Sequence, residues 1–226
     1  MYGTSDSLES NRTNDNDSTI KGVVDTWYES NLLTTYDKYI SKTAIYCNDR
    51  SVPNNDYSTS SLFHYGAYTR LRENKTPSYK CGANTNDGLF ESTQAIADKF
   101  SASTAGGGNG QLKYPIALMT ADEISFAGSL FQTNLSSPYA WYYTNSVGSS
   151  IVNSGYWWLL TSYIWNGSRS IVYGVYGSDY PGMLFLDNQV IRLLAVRPVI
   201  SLSSCVKVTG NGTPESPYEI DETSCN

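Results

Sequence analysis

The segment from Gly155 to Ile200 restricts the fold more than any other part of this chain. It opens with Tyr156-Trp157-Trp158-Leu159-Leu160-Thr161-Ser162 and closes with Ala195-Val196-Arg197-Pro198-Val199-Ile200. Aromatic and β-branched residues fit a pleated, half-buried surface, so both ends predict strands. Between them Tyr, Ser, Gly and Asn dominate and apolar continuity is lost. Such a mixture suits a contact surface: Tyr and Trp give rigid area, while Ser, Gly and Asn give adaptable hydrogen bonds. The expectation is a β scaffold displaying ligand-binding residues over 162–190, namely Tyr163, Trp165, Asn166, Arg169, Tyr173, Tyr176, Asp179, Tyr180 and Asn188. Period-two alternation predicts that about half of a strand's residues face inward.

The flanking sequence extends this pattern. From Tyr139 onward, short apolar runs alternate with turn clusters, the rhythm of antiparallel hairpins. Pro198 lies inside the last long run, which should therefore be an edge strand or break there. Upstream, Ile20, Val23, Val24, Trp27 and Leu32 recur at helical spacing and predict a helix over 19–35, capped by Asp17 or Ser18. Thr43–Cys47 predicts a strand, 52–80 a loop-rich region, and Tyr114–Met119 another strand. Thr120-Ala121-Asp122-Glu123 reads as a capping box opening a second helix over 121–127, which ends at Gly128. Asp122 and Glu123 are thus assigned to capping rather than to acid–base chemistry. The run Gly106-Gly107-Gly108-Asn109-Gly110 reads as a flexible hinge; no Gly-Lys-Ser/Thr follows, so it is not a phosphate loop. Residues 1–18 read as a polar arm, 19–226 as one domain, and 201–226 as a terminal hairpin turning at Thr209-Gly210-Asn211-Gly212.

Composition narrows the function. Net charge is −6 and only 16% of residues are charged, without a Lys/Arg cluster. That argues against nucleic acid, whose binding rests on phosphate contacts, and against an anionic membrane surface. No apolar run approaches a bilayer-spanning length, and polar residues follow Met1, so no signal peptide is read. The cysteines are Cys47, Cys81, Cys205 and Cys225, with no Cys-x-x-Cys pair. An even number in a lightly charged chain points to disulfides and an oxidising compartment. Three pairings are open, as is a set of four free thiols; the sequence-local pairing Cys47–Cys81 and Cys205–Cys225 is preferred. Each such bridge contributes about 3–4 kcal/mol in the chain-entropy account. The single His64 cannot complete a His-rich metal site, and no Gly-x-Ser-x-Gly elbow surrounds a serine. Asp179, Asp187 and Asn188 fall short of the six or more oxygens that calcium takes. No cofactor and no catalytic group are expected.

A resemblance joins these pieces. Cys47-Asn48-Asp49-Arg50-Ser51, Tyr114-Pro115-Ile116, Leu118, Thr120-Ala121-Asp122-Glu123 and Ala127-Gly128 resemble motifs of a family of bacterial surface proteins. So do Tyr156-Trp157-Trp158, Val196-Arg197-Pro198-Val199-Ile200, Gly212-Thr213 and Pro217-Tyr218 with Ile220. Members of that family are often carried behind a type IV prepilin-like helix. The C-terminal half also resembles the C-type-lectin-like fold, whose broader class includes formylglycine-generating enzymes and the variable proteins of diversity-generating retroelements. The resemblance implies that Trp157/Trp158 and Val196–Ile200 frame an irregular display region.

The expected fold is therefore α+β and C-type-lectin-like: two short helices, a twisted antiparallel sheet and long irregular loops. The expected function is non-enzymatic recognition of an extracellular protein or glycan at the bacterial surface, with the head of a type IV pilin-like protein as one setting. Two alternatives stay open. One is a structural pilin-like subunit contacting neighbouring subunits; the other is a formylglycine-generating-type oxidase, which needs a reactive thiol.

Overall fold

The structure, a computed structural model, describes residues 16–51, 62–81, 98–133, 156–176, 182–213 and 215–225. The first helix spans Thr19–Asn31, and the Ser18 side chain caps it by accepting from the Lys21 N–H at 3.1 Å. Ile20, Val24 and Tyr28 form its buried stripe. It ends about a turn earlier than the apolar spacing predicts, just before the β-branched pair Thr34-Thr35, which loses side-chain freedom in a helix.

Eleven short strands follow among the described residues: β1 (Tyr46–Cys47), β2 (Leu62–His64), β3 (Lys99–Ser101), β4 (Gly110–Gln111), β5 (Ala117–Leu118), β6 (Trp157–Asn166), β7 (Ser170–Val175), β8 (Leu184–Gln189), β9 (Pro198–Val199), β10 (Val208–Thr209) and β11 (Glu219–Ile220). The main sheet is antiparallel in the order β2-β6-β7-β8, with register shifts in both the β6–β7 and β7–β8 pairings. The chain is thus α+β with an irregular antiparallel sheet at its centre.

Both faces of that sheet are covered. On one, Trp157, Leu159, Tyr163, Ile171, Tyr173 and Val175 pack with Ala67, Leu71, Ala121 and Ile124. On the other, Trp158 and Val172 pack with Ile20, Val24 and Tyr28 of the first helix and with Ile116 and Leu118. Trp157 and Trp158 therefore each anchor a core, on opposite faces. All six residues of β7 are buried, because its side chains still alternate between faces and both faces are covered.

Other expectations meet specific outcomes. The second helix runs Ala121–Phe126 with the reciprocal capping box of Thr120 and Glu123 in place, and Gly128 follows at φ 101°. Pro198 does break the last apolar run: only Pro198–Val199 is a strand, paired with β5. The tail is a hairpin of β10 and β11. The cysteines form two bridges, Cys47–Cys81 and Cys205–Cys225. The glycine run corrects the hinge expectation. A Cβ on Gly106 would sit 2.6 Å from the Thr43 carbonyl, and one on Gly108 would sit 2.5 Å from the Lys99 carbonyl. These glycines let backbones approach closely within a packed corner. The 52–80 stretch, expected as loop, contains β2 and a π-helical turn over Tyr68–Glu73.

Candidate functional site

The expected display residues do not form one surface. Tyr163, Trp165 and Tyr173 are interior, with 5%, 2% and 0% of their surface exposed. This corrects their assignment as exposed anchors: with both sheet faces covered, large rings on β6 and β7 fill the core. The Tyr173 hydroxyl donates to the Ala67 carbonyl at 3.1 Å, as a buried phenol requires. Asn166 braces the β6–β7 turn, its side-chain oxygen accepting from the N–H groups of Ser168 and Arg169 at 3.0 and 2.8 Å. Arg169 donates across the sheet to Gln189 at 3.1 Å. Tyr176, half-buried at the far end of β7, packs edge-on against Tyr156 and Phe185 at 4.5 and 4.2 Å. At the usual strand rise, seven residues from Arg169 to Tyr176 span about 20 Å, so these two do not share one ligand contact. Asp179 and Tyr180 lie outside the described residues. Asn188 lies on β8 opposite Val172, and its side chain is outside the described part.

A different cluster reaches the surface. The π-helical turn, closed by the Asn74 N–H on the Thr69 carbonyl at 2.9 Å, presents Tyr68 and Arg72 together. Such turns are rare and recur at functional sites. His64, the last residue of β2, stacks on the Tyr68 ring at 3.6 Å. Tyr163 stacks against the same ring at 5.2 Å. The Arg72 guanidinium lies 4.8 Å from the Tyr68 centroid and 5.4 Å from that of Phe131, and its Nη1 donates to the Tyr163 hydroxyl at 2.7 Å. An arginine so held has little further freedom to lose on binding. Arg72 is itself exposed, and its remaining donors have no partner among the described residues. Burial first, and then the adjacent Arg72 charge, lower the His64 pKa, with Glu73 acting in the opposite sense. Both effects favour the neutral imidazole.

Beneath this shelf lies a buried ion cluster. Arg70 donates through Nε and Nη2 to the two oxygens of Asp122, both at 2.7 Å, and through Nη1 to Asp49 at 3.1 Å. The Ser78 and Ser51 N–H groups donate to Asp122 and Asp49 at 2.8 and 2.9 Å. Burial disfavours the Arg70 charge, but the hydrogen bonds and charges of Asp122 and Asp49 outweigh it and raise the pKa. Only Glu123 is a capping carboxylate; Asp122 is the inward partner of Arg70, which corrects the shared capping assignment. This cluster ties the Cys47–Cys81 region to the second helix and fixes the π-turn.

Sequence reasoning missed Tyr68, Arg70, Arg72 and Phe131. The available signal was Tyr68 and Arg72 four residues apart, a spacing that pairs side chains on a helical face. The neighbouring prolines and asparagines masked it. Tyr79 lies flat on Phe126 at 3.9 Å with 77% of its surface exposed. Arg197 lies over the Trp157 ring at 4.3 Å. Arg50 donates to the Tyr65 hydroxyl at 3.0 Å. Among the described residues no helix is long and apolar enough to cross a membrane. No family model matches the chain, and neither a curated protein nor a solved structure does.

Proposed function

We propose that this chain is a non-enzymatic recognition domain with a C-type-lectin-like fold, working outside the cell at a bacterial surface. The observation that carries the reading is the Arg72 shelf: an exposed guanidinium held between Tyr68 and Phe131 and braced by Tyr163. Holding a flexible surface side chain in one pose is an investment that binding uses and folding does not require. The two disulfides are compatible with an extracellular protein. The C-type-lectin-like assignment is supported by the meeting of the tryptophan strand with the closing segment: Trp157 bridges to Ala195, and Arg197 covers its ring.

The test is a binding screen of extracellular proteins and glycans. Arg72→Met is the test variant, and Tyr79→Ala and Tyr176→Ala, at an exposed and a half-buried position, serve as controls. A ligand whose affinity falls at least tenfold in Arg72→Met, with circular dichroism unchanged, supports the reading. A folded wild-type domain that captures nothing from either panel refutes it.

The structural-subunit alternative rests on one observation. Val23 and Trp27, four residues apart on the first helix, are 50% and 45% exposed, beside exposed Leu33 and Tyr36. An apolar stripe of this kind suits contact with a neighbouring subunit. Concentration-dependent association abolished by Trp27→Glu would favour it. The thiol-dependent oxidase has less to rest on, because all four cysteines are bridged.

A further inference from the structure

The edge of the main sheet that no described strand covers and the Arg72 shelf meet at His64. β2 is the outermost strand on its side of the sheet, paired only with β6 among the described strands. Its Leu62 is exposed. An unpaired edge offers a row of N–H and C=O groups that template another extended chain. Three residues supply few such bonds, so a docked strand here needs a side-chain anchor as well. The anchor lies at the strand's end: His64 stacks on Tyr68, and Arg72 lies over that same ring.

Charge decides what the anchor fits. The whole chain carries −6. Arg70 is consumed by Asp49 and Asp122, so Arg72 is the fixed positive charge of the shelf, with Glu73 beside it. One guanidinium balances one carboxylate, whose two oxygens its planar fork matches. A polyphosphate would meet too little positive charge here.

We propose that β2, His64 and Arg72 together bind an extended peptide segment that pairs with the strand edge and places one Asp or Glu side chain on Arg72. The peptide class rests on the recognition reading above. The strand edge favours a peptide over an acidic sugar, which has no backbone to pair. Affinity rises as pH falls, because a protonated His64 adds a second positive charge near the carboxylate. The groups facing His64 are the Tyr68 and Tyr163 rings, Arg72 and Glu73, with Phe63 and Tyr65 beside it in sequence.

The test begins with phage-displayed random decapeptides selected on the intact protein. The expected result is enrichment of one acidic position flanked by β-forming residues. A synthetic peptide from that selection is then titrated by fluorescence anisotropy beside three controls: its Glu→Gln (or Asp→Asn) form, a form N-methylated at alternate backbone nitrogens, and methyl glucuronide. Loss of the carboxylate should weaken binding by about tenfold or more, the usual range for a hydrogen bond to a charged group. N-methylation should weaken it comparably, and His64→Gln should flatten the rise in affinity between pH 7.5 and 5.5. These peptide changes leave the protein untouched, so a folding defect in Arg72→Met does not confuse the result. Equal binding of the amide or N-methylated peptide overturns the proposal, as does binding of glucuronide with no acidic peptide selected. Capture of other extracellular ligands in the broader screen, with no acidic peptide, overturns this inference and leaves the recognition reading standing.

Discussion

Arg70 shows how one residue can be decisive without touching a ligand. Its guanidinium spans Asp49 and Asp122, both buried, and joins the Cys47 region to the second helix through the π-turn. Removing one partner of a buried ion cluster strands the other charges away from water. Arg70→Met should therefore cost about 3–5 kcal/mol, read as a lowered urea midpoint; a loss under 1 kcal/mol would mean the two carboxylates find other partners. His64 makes a prediction with a sign. Its pKa is lowered in the folded state by burial and by Arg72, so the folded protein takes up its proton later than the unfolded chain does. Above the unfolded value both states are neutral and no penalty exists. As pH falls below about 6.5 the unfolded state gains the proton first, and stability declines until the folded pKa is passed. His64→Gln should flatten that part of a melting-temperature profile measured from pH 7.5 to 5, leaving the carboxylate-driven loss at lower pH in place.

At the scale of elements, short pieces depend on caps and close approaches more than on length. The second helix spans only Ala121–Phe126 and rests on its capping box. Thr120→Ala should cost about 1 kcal/mol, a typical value for a lost N-cap. Asp122→Asn should cost more because it weakens the Arg70 pairing; similar losses for the two would argue that both residues merely cap. The corner around Gly106–Gly110 is a test of packing. Gly108→Ala places a methyl against the Lys99 carbonyl, and the backbone must shift at a cost of about 1–3 kcal/mol. A neutral substitution, measured by chemical denaturation, would restore the hinge reading.

Across the whole molecule, the disulfides divide the work. Cys205–Cys225 ties the terminal hairpin of β10 and β11, which makes no ladder with the main sheet. Cys47–Cys81 lies beside the ion cluster and closes the longer loop, with a separation of 34 residues against 20. The paired change Cys205→Ser/Cys225→Ser should lower stability by about 3 kcal/mol while sparing ligand binding at the shelf. Cys47→Ser/Cys81→Ser should lower both, since it frees the segment that carries Asp49. Comparing affinity with melting temperature for the two variants checks this; equal effects on binding would separate the shelf from the Cys47 bridge.

Local chemistry determined much of this protein. The Ser18 and Thr120 caps, the break at Pro198, the Gly-rich tail turn and the strand character of Trp157–Ile164 all follow from interactions within a few residues, and they appear where the spacing places them. The pairing of neighbouring cysteines also follows from short loops closing most readily. What only the tertiary structure decided is which side chains reach solvent. A Tyr on β7 reads the same whether its face meets water or a helix. Tyr173 is interior because the second helix and the π-turn cover one face while the first helix covers the other. Conversely, Tyr68 and Arg72 look like loop residues until the buried Arg70 cluster pins their turn against β6. Burial depends on what packs from distant parts of the chain, and that information is spread over Asp49, Asp122 and Tyr163 rather than held in the residues that form the shelf.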